Sequence, residues 1–138
     1  MLAVVCRNSD GLLLFAWTKR SPPDTPLVGE AKAALFAVQE ARLLSYPLIS
    51  FEGDNLQVCN AICLSNYSPD WSIAPILRDI KALMEDHVSW TLSHVRREAN
   101  LLAHNVAKWA VSEHLEGSIP SCCIPFDILY SDNPPLSP

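Results

Sequence analysis

Two short apolar runs open the chain, Leu2 to Cys6 and Leu12 to Trp17, with the polar stretch Arg7-Asn8-Ser9-Asp10-Gly11 between them. An Asp-Gly turn joining two β-prone runs predicts a β-hairpin. Asp10 then has a structural explanation at the hairpin tip and is not taken as catalytic. Ser21 to Gly29 carries three prolines and a glycine and reads as a loop. From Glu30 the apolar spacing changes to that of a helix, with Ala34, Leu35, Val38, Ala41 and Leu44 on one side, running to about Leu44. Pro47 ends it, and Leu48 to Gly53 reads as a strand leading into Asp54. A helix is expected from Leu56 to about Leu64, followed by a polar loop, Asn66 to Trp71. A second amphipathic helix spans Ile73 to Met84, with Ile76, Leu77, Ile80 and Leu83 aligned. Val88 to His94 then alternates as a strand, placing Val88, Trp90, Leu92 and His94 on one face. A last helix follows, its apolar stripe made by Leu101, Leu102, Val106, Trp109 and Ala110. The predicted order is β-β-α-β-α-α-β-α, an α/β domain whose mixed sheet is flanked by helices.

Composition narrows this picture. With 138 residues, 49% of them apolar and only 18% charged, the chain has material for one core and is not a disordered sequence. The expected division is a domain over residues 1–115 and a Pro-rich tail over 116–138. Within that tail, residues 124–130 are apolar enough to dock and 131–138 are expected to be disordered. The formal net charge of -5 argues against non-specific coating of nucleic acid, which depends on many Lys and Arg neutralising phosphates. Any such contact must be a local patch, and Arg96, Arg97 and Lys108 supply one. The five cysteines have neither the even count of a secreted disulfide framework nor zinc-site spacing. Met1 to Cys6 is apolar but is interrupted by Arg7, too short for a signal peptide or a membrane span. The expectation is a reduced, intracellular protein, nuclear or cytoplasmic, with no membrane partner.

Candidate chemistry gathers at element boundaries. Asn100 and His104 are four apart and share a helix face at the edge of the apolar stripe. His94 stands at the end of the strand that leads there. Glu30 is expected at a helix start, where the dipole favours a carboxylate and where a functional acid is equally at home. Asp54 follows a strand and precedes a helix, so it can serve as an N-cap, a metal ligand or both. Carboxylates at neighbouring strand and helix ends are what two-metal hydrolysis of a phosphodiester requires. Hard cations want anionic oxygen and must hold both the attacking and the leaving oxygen.

Four blocks taken in order carry a resemblance: Val4 to Gly11, Glu30-Ala31, Phe51-Glu52-Gly53-Asp54, and His94 to Ala107. They resemble the ribonuclease H-like superfamily, most closely the reverse-transcriptase-like, type 1 RNase H domains of plants, from Leu2 to about Glu113. The resemblance implies the RNase H-like fold, an RNA/DNA hybrid as substrate and Mg2+ or Mn2+ as cofactor. It implies that Glu30 and Asp54 are the second and third acidic ligands and that His104 stands in the place of the fourth. By the same matching, His94 is the mobile histidine of product release or proton transfer, and Asn100 is the family's corner Asn. Arg96, Arg97, Asn100 and Lys108 would contact nucleic acid.

Two departures qualify these implications. The family's first strand bears a metal-bridging Asp, and this chain starts after that strand, as an N-terminally truncated member would. His104 replaces a carboxylate with a neutral, softer ligand, which favours manganese or zinc over magnesium. The expected activity is therefore weak or absent. A strand supplied by a protein partner, or by the tail segment Ile124 to Leu129, would fill the gap in the sheet. The rival expectation is a non-catalytic nucleic-acid-binding or interaction module derived from a retroelement.

Overall fold

A computed structural model describes residues 1–130; the expected disorder of 131–138 concerns residues outside those described. The elements, in chain order, are β1 (Leu2–Arg7), β2 (Leu13–Lys19), α1 (Pro26–Ala41), β3 (Ser50–Gly53), α2 (Leu56–Cys63), α3 (Ala74–Glu85), β4 (Thr91–His94), a 3-10 turn (Arg97–Asn100), α4 (Leu101–Ser112), β5 (Gly117–Pro120), a second 3-10 turn (Ser121–Cys123) and α5 (Phe126–Leu129). Up to α4 this is the order that the hydrophobic pattern predicts, and the mixed α/β class holds. The chain divides into two compact units, one formed by Met1–Pro22 with Arg96–Pro138 and the other by Pro23–Val95.

The first unit holds a three-stranded antiparallel sheet in the order β1-β2-β5. Its hairpin is fixed as the sequence suggested. Gly11 adopts φ 81°, which a glycine reaches without steric cost. The Asn8 side-chain oxygen accepts the backbone N–H groups of Asp10 and Leu12, both at 3.0 Å. Asp10 is exposed at the tip. α4 supplies the other layer, with Leu102 and Val106 buried together with Ala16, Ile119 and Ile124. Thr18, 2% exposed, donates its hydroxyl to the Leu115 carbonyl at 3.1 Å and so avoids an unmet polar group in this layer.

β5 is a departure from the expected tail. Gly117–Pro120 pairs along β2, with Ile119 opposite Ala16. Ile124 is buried and Phe126–Leu129 is helical, so Ile124 to Leu129 does not provide an inserted strand. That expectation is corrected: burial of Ile124 against α4 side chains and a helical turn win over extension.

The second unit pairs β3 with β4 in parallel, Gly53 opposite His94, and lays α1, α2 and α3 around one core. Val28, Ala31, Val38, Val58, Ala61, Leu77, Ile80 and Trp90 are buried in it. β4 is shorter than the alternation predicts, because the chain at Val88 is still turning out of α3. The Trp90 N–H donates to the His87 carbonyl, and Val88 is 95% exposed, not on the face shared by Trp90.

α1 begins earlier than the spacing predicts. Thr25 is its N-cap, with its hydroxyl accepting from Val28 N at 3.3 Å and Pro26 in the first turn. Ahead of the cap, the Thr25 backbone N–H and then the Lys32 ammonium, 3.2 Å away, hold the Asp24 carboxyl below its usual range. The Ser72 hydroxyl and backbone N–H do the same for Asp70. A carboxyl depressed in the folded state adds stability above its unfolded pKa and loses it as pH falls through the folded value. The urea midpoint is therefore expected to fall from about pH 4 downward. The double variant Asp24→Asn, Asp70→Asn should show a shallower acid limb in the same titration.

Candidate functional site

In the second unit, candidate residues come from α1 and from the exits of β3 and β4. Because Pro26 and not Glu30 opens α1, Glu30 lies beyond the first turn, which contains no acidic residue. The expectation of a helix-start carboxylate is thus corrected, and the dipole explanation for Glu30 falls with it. The N-cap explanation for Asp54 falls as well. Asn55 caps α2 by accepting Val58 N at 3.0 Å, which leaves the Asp54 side chain outside the cap. Both acids are half-buried, and a carboxylate oxygen of each lies within 4.8 Å of the other. Two oxygens around one hard cation, with metal–oxygen bonds of roughly 2.0–2.6 Å, stand at most about 5 Å apart. The pair is close enough to share a divalent ion, the smaller Mg2+ requiring the two oxygens to draw together to about 4.2 Å or less.

The parallel register places His94 at the exit of β4 beside the chain that leaves β3. Its Nε2 lies 3.2 Å from the Asp54 carbonyl oxygen, and the ring is exposed. An exposed imidazole tied to one backbone oxygen can exchange that bond for a proton transfer at modest cost.

Cys59 is a further neighbour of the pair that no sequence pattern singled out. It is 5% exposed, and its thiol donates to the Gly53 carbonyl at 3.7 Å. Burial pushes the Cys59 thiol up, and the charges of Cys63, Asp54 and Glu30 push it the same way. The carboxylate pair thus projects a negative field onto the side of α2 that faces the end of β3.

The remaining sequence candidates belong to the first unit. Arg96 leads into the 3-10 turn that Arg97 opens, and both are exposed. Asn100 ends that turn at the N-cap position of α4 and makes no side-chain capping bond. The expectation that Asn100 shares the helix proper with His104 is corrected by one residue: it stands at the helix entrance. Asn100, His104 and Lys108 still follow one another at four-residue steps along one side. His104 is half-buried and Lys108 exposed. A half-buried polar residue followed one turn later by an exposed cation suits a phosphate-contacting edge.

No helix of the described residues is long and apolar enough to cross a membrane. Comparison with solved structures finds the ribonuclease H1 of the halophilic archaeon Halobacterium salinarum at a TM-score of 0.72 and 20% identity, covering 80% of this chain and 84% of that one. At that identity the likeness speaks for the fold, which is RNase H-like. No curated protein matches. The family model described as reverse transcriptase-like matches residues 1–110. That span takes in both carboxylates, both candidate histidines and the basic residues, and the chain belongs to the reverse transcriptase-like, RNase H-like family.

Proposed function

We propose that this chain is a nucleic-acid-binding RNase H-like domain for RNA/DNA hybrids, with metal-dependent hydrolysis of the RNA strand weak or absent. The half-buried Glu30–Asp54 pair, within 4.8 Å, is the observation that carries the reading. Glu30, Asp54 and, by family matching, His104 would hold Mg2+ or Mn2+. The bound ion would supply a Lewis acid for the phosphodiester and a more acidic water. The protein's own contributions are distinct. Glu30 and Asp54 offer hard anionic oxygens, while His104 lowers the negative charge of the ligand set relative to a carboxylate. His94, held on the Asp54 carbonyl, would move a proton or usher product out. Arg96, Arg97, Asn100 and Lys108 would position the hybrid through its phosphates.

Weak turnover is expected because His104 offers a neutral, softer ligand where the family has a carboxylate, which would match a hard divalent ion less well. The test is cleavage of a labelled RNA/DNA hybrid with Mg2+ or Mn2+. Little or no product is expected, and robust cleavage abolished by Glu30→Gln would overturn the claim of weakness while confirming the site.

A second reading rests on the exposure of Arg96, Arg97 and Lys108: a non-catalytic, retroelement-derived binding module of plant type, working inside the cell. Hybrid binding without turnover supports it. The double variant Arg96→Ala, Arg97→Ala should then weaken binding and lower the salt slope of log K by about two. Unchanged binding would remove this reading.

A strand-donating protein partner belongs to the same proposal. β1 ends one sheet and β3 ends the other among the described residues. The bonds Thr91 N–H to Ile49 and Val95 N–H to Gly53 set the phase of the β3–β4 ladder. Ser50 and Glu52 therefore turn their backbone groups away from β4, an edge that invites pairing. A soluble, cooperatively melting monomer would count against the partner. The expected boundary at residue 115 stands as a proposal about the Pro-rich composition of 116–138, although β5 and Ile124 pack with the first unit.

A further inference from the structure

Cys122 and Cys123 lie in the second 3-10 turn, Ser121–Cys123, between β5 and α5. Both thiols are free and exposed, and their Sγ atoms stand 4.0 Å apart, within reach of an S–H···S bond. Neighbouring residues of an extended strand point to opposite faces. Here the turn brings both sulfurs together. Its backbone is anchored: the Ile124 N–H donates to the Ser121 carbonyl at 3.2 Å, and the Ile124 side chain, 4% exposed, is buried with Leu102 and Val106.

Two lengths decide what the pair suits. A disulfide needs its sulfurs about 2.05 Å apart, so oxidation would have to draw them together by about 2 Å across an anchored turn. A soft centre holding two thiolates by bonds of about 2.3 Å sets them about 3.8 Å apart at a tetrahedral angle, and somewhat closer at the narrower angle of a pyramidal centre. The pair already stands close to that bite. Ligand count then selects the centre. Structural zinc takes four protein ligands, and among the described residues no third His, Cys, Asp or Glu joins these two thiols. A monosubstituted trivalent arsenical needs only two thiolates, because its third bond goes to its own carbon.

We propose that Cys122 and Cys123 form a bidentate site for monosubstituted trivalent arsenicals. An arsenoxide, R–As=O, reacts with the two thiols to give R–As bonded to both sulfurs and one water. Two S–H bonds and the arsenic–oxygen bond break, two As–S bonds form, and both protons leave with the oxygen. Arsenic stays trivalent, so no oxidant is needed. The hydrogen bond with Cys122, reinforced by its charge, holds the Cys123 thiol above its ordinary value. Cys59 and Cys63 are a poorer pair. Their thiols point to different carbonyls, Gly53 at 3.7 Å and Leu92 at 3.6 Å, and Cys59 is buried.

The test is titration of the full chain, kept reduced with a phosphine, with phenylarsine oxide, read by intact mass. One adduct per chain is expected, removed by 2,3-dimercaptopropanol. It should be retained in the double variant Cys59→Ala, Cys63→Ala. In Cys122→Ser and in Cys123→Ser the affinity should fall by about 100-fold or more, because the second sulfur no longer adds its effective concentration. Absence of an adduct on the wild-type chain, undiminished binding in Cys123→Ser, or loss in the Cys59/Cys63 variant would each overturn the proposal. Alkylation by N-ethylmaleimide, mapped by peptide, reads the site without any substitution. The arsenical should protect the peptide that carries Cys122 and Cys123, and failure to protect it would be equally decisive against the site.

Discussion

Replacing Asp54 with Asn is expected to lower the metal-loaded stability far more than the apo stability. Glu30 and Asp54 hold like charges on oxygens within 4.8 Å. At that distance, with solvent screening, their repulsion is about 1 kcal/mol. Asp54→Asn removes it at nearly constant shape. It spares the backbone carbonyl that His94 uses and the Asn55 side chain that caps α2. Relief of that repulsion offsets the loss of what the Asp54 carboxylate itself binds, so the apo melting temperature should stay near the parent's. With Mn2+ added, the parent should gain more than the variant. A ligand that binds only the folded state stabilises it by an amount that grows with its concentration over Kd. Losing one of two carboxylate ligands should weaken binding by about 10–100-fold or more, since even outer partners of metal ligands cost that much. Differential scanning fluorimetry across a Mn2+ series, with calorimetry for the affinity, reads both effects. A purely structural Asp54 predicts a lower apo melting temperature and no metal dependence, and that outcome would remove the metal site.

The order of elements was legible because amphipathic period and turn chemistry are local. Asp10-Gly11 marked the hairpin, and Gly11 at φ 81° shows why a glycine stands there. Boundaries failed where one residue type has two local meanings. The prolines from Pro22 to Pro26 read as a loop, yet Pro26 is a good first helical residue, since its missing N–H would have no helical partner. That misreading placed Glu30 at a helix start and lent it a dipole explanation. β5 was hidden because four residues ending in Pro120 show no alternation, and only the far side of β2 gives them a partner. At the site, the acids and histidines were visible as types at element ends. The competition between Asp54 and Asn55 for the α2 cap was not resolvable, as adjacent residues of similar chemistry can both cap. The field of the carboxylates on Cys59 depends on how α2 packs beside the β3 exit, a tertiary fact with no local signature.

Among the large stability effects expected from a single side chain in the second unit is that of Ile80→Ala. The alignment of Ile76, Leu77, Ile80 and Leu83 in the sequence treats the four as equals, but the fold does not. Ile80 is 1% and Leu77 2% exposed, whereas Ile76 and Leu83 pack at the margin of the core. Ile80 is also among the largest fully buried side chains, in a core with Trp90, Val58 and Ala61. Removing three carbons there forfeits their transfer free energy and leaves a cavity that the small neighbour Ala61 cannot reach across to fill. The expected loss is about 2–5 kcal/mol. Ile76→Ala deletes the same atoms from a site open to water and should cost clearly less, because solvent can enter where a void would otherwise form. Urea unfolding followed by circular dichroism compares the two, with an unchanged slope confirming that the midpoints report stability. Equal losses for both variants would mean that the apolar stripe of α3 is buried evenly. In that case the gradation of burial across α3 would be wrong, and with it the seating of this helix on α1 and α2 that holds the strand exits at Asp54 and His94.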